Sequence, residues 1–196
     1  MPTRLSQQLA FILEIDKLKS ILRQTPITGP ERRQENDAEH SWHIAVIAAL
    51  LAEYAPTAID VARVIRMLLI HDIVEIDAGD TFAYDVAGYS DKEERESRAA
   101  DRIFGLLPAD QTAELRALWD EFEAAATAES RYANALDRLQ PLLLNSRTGG
   151  GSWTNHRVTR AQVLARMEPV RHGTPELWPV VLAIVDDASA RGWLIS

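Results

Sequence analysis

The 196-residue chain reads as all-α, one compact multi-helix domain over residues 1–196. Three observations carry that reading. Apolar residues recur at steps of three and four in nearly every segment, the period of a helix with one buried face. No segment sustains the apolar–polar alternation of a half-buried strand. The 46% apolar content and the length suit a single core of ordinary size.

Taken in order, Leu5, Leu9, Ile12, Ile15, Leu18 and Leu22 form one stripe of a first helix that stops before Pro26. Thr25 to Asp37 reads as a loop, with Gly29 and Pro30 inside it. Asn36 and Glu39 have capping-box spacing, which starts a second helix near Ala38 that runs to Tyr54 before Pro56. The third helix spans about Ala58 to Ile76, with Val64, Leu68, His71 and Glu75 along one stripe. Gly79 ends it and leaves Asp80 on the following turn. Ser90 and Glu93 repeat the capping-box spacing before a charged helix that reaches Leu107-Pro108. Leu115, Leu118, Trp119 and Phe122 mark the next helix. Another runs from about Ala128 to Gln140, where Pro141 ends or kinks it. Ser146 to Ser152, with three consecutive glycines, is the most flexible-looking stretch. Two further helices are predicted over about Asn155–Arg166 and Pro175–Ala190, the second stopped by Gly192.

The net charge of −8 speaks against a nucleic-acid polymer as partner but permits a small anion in a locally positive pocket. With no cysteine, the chain has neither disulfides nor thiolate-held metal, which fits a reducing cytoplasm. No long uncharged apolar run is present to cross a membrane, and residues 1–5 lack the apolar core of a signal peptide.

The chemistry concentrates in His40, His71, Asp72 and Asp137. Adjacent His and Asp on a helix facing a pocket can both reach one cation. A His from an earlier helix and an Asp from a later one complete a mixed nitrogen and oxygen site. Such a donor set suits one divalent ion, Mn²⁺, Fe²⁺, Co²⁺, Zn²⁺ or Mg²⁺. Asp72 follows Met67-Leu68-Leu69-Ile70, so the simpler reading is a buried ion pair with Arg63 or Arg66. Glu75, one turn on, puts a second acid on the same buried face, a conflict that a divalent cation removes. His40 and His43 lie three residues apart on one face, and spacing alone does not choose between them. For Asp137 the simpler reading is a partner for Arg138 or Arg131. His156 and His172 read as surface residues. Trp119, Trp178 and Trp193 read as core aromatics, and Trp42 as packing or a pocket wall. Asp91 to Glu96 reads as a solvated helix face.

The segments Ala38-Glu39-His40-Ser41-Trp42-His43, His71-Asp72-Ile73-Val74-Glu75-Ile76-Asp77-Ala78-Gly79-Asp80-Thr81 and Ala135-Leu136-Asp137-Arg138-Leu139 together resemble the HD-domain metal-dependent phosphohydrolases. They look most like the small one-domain branch that includes bacterial 5′-deoxynucleotidases. The resemblance runs from about Ile15 to Gly150. It implies that His40 rather than His43 joins His71, Asp72 and Asp137 on the metal, that Glu75 and Asp80 serve catalysis and the sugar, and that Arg23 contacts phosphate. It also implies a nucleoside 5′-monophosphate as substrate, with deoxyribonucleotides favoured. The chain departs from that branch at Gln24, where deoxyribose-selective members carry an aromatic.

The residues accommodate this chemistry. Glu75 is placed to take a proton from water, and Asp80 to protonate a leaving alkoxide if its pKa is raised. Arg23, expected at the end of the first helix, has the planar fork that holds two phosphate oxygens, with Arg33 behind it. A guanosine-alarmone hydrolase would carry an acidic pair where this chain has Glu75-Ile76. A cyclic-dinucleotide phosphodiesterase would need a context that Gly88-Tyr89-Ser90 lacks. Hydrolysis of a triphosphate and a non-catalytic helical regulator stay open as alternatives. A homodimer is expected from the apolar helix faces alone.

Overall fold

The computed structural model describes residues 2–31, 33–85 and 88–195. Its helices are α1 (Arg4–Ile15), α2 (Asp37–Leu50), α3 (Val61–Ile70), α4 (Glu75–Ala78), α5 (Lys92–Phe104), α6 (Ala109–Ala124) and α7 (Ala128–Arg147). Toward the C-terminus follow α8 (Gly151–Asn155), α9 (Arg160–Arg166), α10 (Glu168–Gly173) and α11 (Trp178–Ala190). A two-stranded antiparallel sheet, β1 (Leu22–Pro26) and β2 (Gln34–Asn36), is the one departure from an all-α chain among the described residues.

The first predicted helix is therefore too long. α1 ends at Ile15, a 3₁₀ turn covers Asp16–Ser20, and Leu22 begins β1. The stripe was also assigned to the wrong face. Leu5, Leu9 and Ile12 are exposed, and Phe11 is the residue that α1 buries. The loop from Thr25 to Asp37 is partly strand, with Leu22 paired to Asn36 and Pro26 to Gln34. β2 runs straight into the Asn36–Glu39 capping box, in which both reciprocal bonds form.

α7 is the axis of the molecule. α2, α3, α6, α10 and α11 all pack against it. Ile44 and Ala48 of α2, Val64 and Leu68 of α3, Phe122 of α6, Leu136 of α7, Val170 of α10 and Val185 of α11 share the main core. Tyr132 is fully buried, and its hydroxyl donates to the Ala48 carbonyl at 3.0 Å, fixing α2 to α7. A second core joins Phe11, Leu18, Ile73, Val74, Ile103, Phe104 and Trp119. The chain between α3 and α4 passes from one core to the other, and the His-Asp pair sits on that passage.

There the predicted third helix breaks. His71–Val74 form a 3₁₀ turn. The Glu75 amide bonds back to Asp72 rather than to His71, and the His71 carbonyl instead accepts the Trp119 indole N–H at 3.2 Å. A side chain inserted into the helical ladder is a recognised cause of such tightening. Pro141 does not end α7, which continues to Arg147. It leaves the Asp137 carbonyl without its helical donor. The glycine run is an ordered turn. Gly149, Gly150 and Gly151 all have positive φ, and a Cβ on Gly151 would stand 2.3 Å from Asn145 Oδ1. Of the helix predicted from Asn155 to Arg166, only Arg160–Arg166 forms, as α9; Asn155 is the last residue of α8, and a turn separates the two. α5 starts at Lys92 with Asp91 at its cap and no side-chain capping bond from it, one residue later than the box predicted from Ser90 requires. α10 was not foreseen, and Pro175–Leu177 is a 3₁₀ turn before α11.

Candidate metal centre and active site

Three elements bring the predicted ligands together: α2 carries His40, the 3₁₀ turn carries His71 and Asp72, and α7 carries Asp137. All four side chains are buried. Donor atoms of His40, His71 and Asp72 lie within 4.8 Å of one another. His40 Nε2 is 2.9 Å from Asp137 Oδ1 and 4.0 Å from Asp72 Oδ2. His71 Nε2 is 3.0 Å from Asp72 Oδ1 and 3.7 Å from Asp137 Oδ1.

The rings are held with Nε2 inward. His71 Nδ1 donates to the Leu68 carbonyl at 2.9 Å. His40 Nδ1 faces Gln140 Oε1 at 3.1 Å, while Gln140 Nε2 donates to Glu35 Oε1 at 2.6 Å. A carboxylate only accepts, so Glu35 fixes the amide's direction, and the amide oxygen then requires the proton on His40 Nδ1. Both Nε2 lone pairs are left for the centre. His71 Nε2 is buried with no hydrogen-bond partner. Two imidazole nitrogens and two carboxylates, one nitrogen of them orphaned, fit a divalent cation.

Without the ion the site closes on itself electrostatically. Burial works against a charged His71, but Asp72 and Asp137 outweigh it and push the imidazole up to about 10. Burial and Arg23 likewise oppose a charged His40, and Asp137 and Glu35 still raise it. Asp137 is buried too, yet Arg138 and the two histidines hold it well below the usual carboxylate range.

A second group of acids lies beside the first, and two of them, Glu75 and Asp80, line the same cavity as His71, Asp72 and Asp137. Donor oxygens of Asp37, Glu75 and Asp80 approach within 4.8 Å of one another. Burial, then Asp72 and Asp37, hold Glu75 well above the ordinary glutamate value. Burial, then Asp72, push Asp37 to about 7 despite Arg23. Burial also raises Asp80 against the pull of Arg23. Glu75 Oε2 is buried without a partner.

Arg23 lies on β1, not at a helix end. Its Nη1 is 2.7 Å from Asp72 Oδ2 and 3.0 Å from Asp37 Oδ1. The arginine paired with Asp72 is thus Arg23, since Arg63 and Arg66 bind Glu121 and Glu114. Arg33 is out on the exposed capping box, paired with Glu39, and does not line the cavity. Trp42 is 64% exposed and is neither packing nor pocket wall. His43 meets Gln140 Nε2 at 3.1 Å and supports the ligand array from behind. His156 is exposed as expected, but it stacks on Phe82 and faces Gln24 Oε1 at 3.0 Å.

The cavity has a volume of about 760 Å³ and room for more than a phosphate. Gln24, Phe82, Tyr84 and Trp153 give it an aromatic and amide wall. Sequence reasoning passed over Asp37, Glu35 and Gln140. The first and last were visible in principle, each three residues from a ligand on the same helix. It also took Lys92 and Glu96 for solvated charges, whereas Glu96 is buried and pairs with Lys92 at 2.6 Å.

The chain is similar to several known proteins. A crystal structure described as a predicted metal-dependent phosphohydrolase from Magnetospirillum magnetotacticum MS-1 is 58% identical. It superposes with a TM-score of 0.92 over 98% of this chain and 99% of that one. A conserved hypothetical protein from Pyrococcus furiosus is 25% identical, with a TM-score of 0.60 over 90% and 98% of the two chains. The 5′-deoxynucleotidase HDDC2 of Homo sapiens is 30% identical over 135 residues, 69% of this chain and 65% of that protein. The chain thus spans just under two thirds of that relative's length. The family model for the HD domain matches residues 15–178, which include all four converging ligands, and the chain belongs to the HD-domain family.

Proposed function

We propose that the chain is a metal-dependent phosphoric monoester hydrolase that converts nucleoside 5′-monophosphates, deoxyribonucleotides foremost, to nucleoside and phosphate. The observation that carries this reading is the convergence of His40, His71, Asp72 and Asp137 at a cavity that Glu75 and Asp80 also line. The names of the HDDC2 relatives and of the Magnetospirillum structure point the same way.

His40, His71, Asp72 and Asp137 would hold one divalent ion. When bound, that ion supplies Lewis acidity and screens the charge of the phosphate. Glu75 takes the proton of the attacking water, and burial beside Asp72 and Asp37 raises its proton affinity above that of a free carboxylate. Asp80, past the Gly79 turn, gives a proton to the departing sugar oxygen, and its raised pKa favours the acid form. Gly79 has φ 76°, a conformation that side chains resist, and this aims Asp80 back at the cavity. Arg23 shares Nη1 between two acids, so its contact with phosphate would fall on the other edge of the guanidinium. Arg33 has no part in the site. No described helix is long and apolar enough to cross a membrane. We place the protein in the cytoplasm on its lack of cysteine, as one domain over residues 1–196. We propose a homodimer on the exposed Leu5, Leu9, Ile12 and Leu13 of α1, which sedimentation analysis would test.

A panel of ribo- and deoxyribonucleoside mono-, di- and triphosphates, assayed for phosphate release with Mn²⁺, Co²⁺, Fe²⁺, Zn²⁺ and Mg²⁺, tests the reading. Monophosphates should be cleaved and longer phosphates poorly. Equal rates on AMP and dAMP would discard the deoxyribose preference. Release of tripolyphosphate from triphosphates, without action on monophosphates, would overturn the substrate class.

A further inference from the structure

Five cationic side chains line the cavity: Arg23, Lys92, Arg116, Arg138 and Arg166. Four are neutralised by carboxylates. Arg23 lies between Asp37 and Asp72, Lys92 pairs with Glu96, and Arg116 pairs with Asp101 and with Asp120. Arg138 pairs with Asp137. Arg166 alone of the five has no carboxylate partner among the described residues. Its Nη1 donates to the Tyr89 hydroxyl at 3.3 Å, a neutral group.

The fold places this cation in one cavity with a second arginine. α9 carries Arg166 and α7 carries Asp137 and Arg138, and all three residues line that cavity. Burial and the neighbouring Arg138 both push the Arg166 guanidinium below its ordinary value. Two like charges sharing a cavity are relieved by an anion between them. A phosphomonoester dianion has the right charge, and each guanidinium fork matches a pair of its oxygens.

We propose that Arg166, assisted by Arg138, is a second anion-binding group of this cavity beside Arg23 and holds phosphate oxygens of the substrate. The proposal rests on the phosphohydrolase reading for its substrate but not for its charge chemistry. The bland alternative is that Arg166 only pins the Tyr89 loop.

The test uses the Mn²⁺-loaded protein and two readouts. Inorganic phosphate binding is measured by calorimetry, and KM and kcat are measured on dAMP, dGMP, dCMP and dTMP. Loss of a charge-assisted contact predicts that Arg166→Ala weakens phosphate binding by roughly 10- to 100-fold. KM should rise by a similar factor for all four bases. Arg166→Lys should recover part of the loss, since charge remains while the fork is gone. Tyr89→Phe, which keeps the ring and removes the hydroxyl, should change neither readout by more than about twofold. Unchanged phosphate affinity in both Arg166 variants would overturn the proposal. So would a KM effect confined to one base, or a Tyr89→Phe variant as impaired as Arg166→Ala. If the wild type binds phosphate through Arg166 yet turns over no monophosphate, the anion site stands and the proposed function falls.

Discussion

Glu75 and Gln140 do different work on the same centre, and substitution separates them. Glu75 Oε2 is buried, unpartnered and near Asp37 and Asp80 rather than among the four ligands. Glu75→Gln keeps the shape and cannot accept a proton. It is expected to keep metal content near wild type and to lower kcat by roughly two to four orders of magnitude. Metal analysis beside single-turnover kinetics checks this, and loss of metal would make Glu75 a ligand. Gln140 touches neither water nor phosphate in this scheme. It fixes the His40 tautomer through the Glu35–Gln140–His40 chain. Gln140→Leu is expected to weaken metal binding by about 10- to 100-fold, the usual cost of removing such support. A titration with Mn²⁺ that gives wild-type affinity would remove Gln140 from the argument.

At the scale of elements, the sequence was legible wherever local chemistry decided the outcome. The Asn36–Glu39 box formed because its partners lie in one turn. The Val64, Leu68, His71 and Glu75 stripe was buried because four apolar or metal-facing positions share one side. Legibility failed where a distant group intervened. Nothing near His71 announces that Trp119 will take its carbonyl and tighten the helix into a 3₁₀ turn. The strand at Arg23 exists through pairing with residues eight to fourteen positions away, and in isolation its apolar residues continue a helical stripe. Arg166 reaches the cavity only through the packing of α9 against α10 and α11. The glycine turn misled for another reason, since composition reports freedom and not whether the space is filled. Gly151 and Gly192 test this. Both have positive φ, but a Cβ on Gly192 meets nothing within 4 Å while one on Gly151 strikes Asn145. Gly192→Ala is expected to cost about 1 kcal/mol for the left-handed backbone alone. Gly151→Ala should cost more, on the order of 2–4 kcal/mol, because the clash adds to the strain. Urea denaturation of the two variants measures the difference, and equal costs would show that the turn relaxes freely.

For the whole molecule the consequence is a linkage between protons, metal and stability. Five groups of the centre bind protons more tightly when folded: Glu75, Asp80, His40, Asp37 at about 7 and His71 at about 10. A raised pKa contributes stability that is complete below the unfolded value and is lost as pH rises through the folded one. The metal-free protein should therefore lose stability as pH climbs from about 4 toward 10. Asp72 and Asp137 are shifted the other way, and their contribution is lost only in strong acid, outside that window. Metal reverses the trend. An imidazolium cannot ligate, so binding must expel the His71 proton, and affinity should rise about tenfold per pH unit for each proton released. The stabilisation that Mn²⁺ confers then grows with pH by mass action. Melting temperatures with and without Mn²⁺ between pH 5 and 9 should diverge, the metal-free curve falling and the gap widening. Calorimetry in buffers of different ionisation enthalpy should count at least one proton released per ion. A gap that stays constant with pH, with no proton release, would mean that His71 is already neutral in the metal-free protein and that the acids around it are not what the cation relieves.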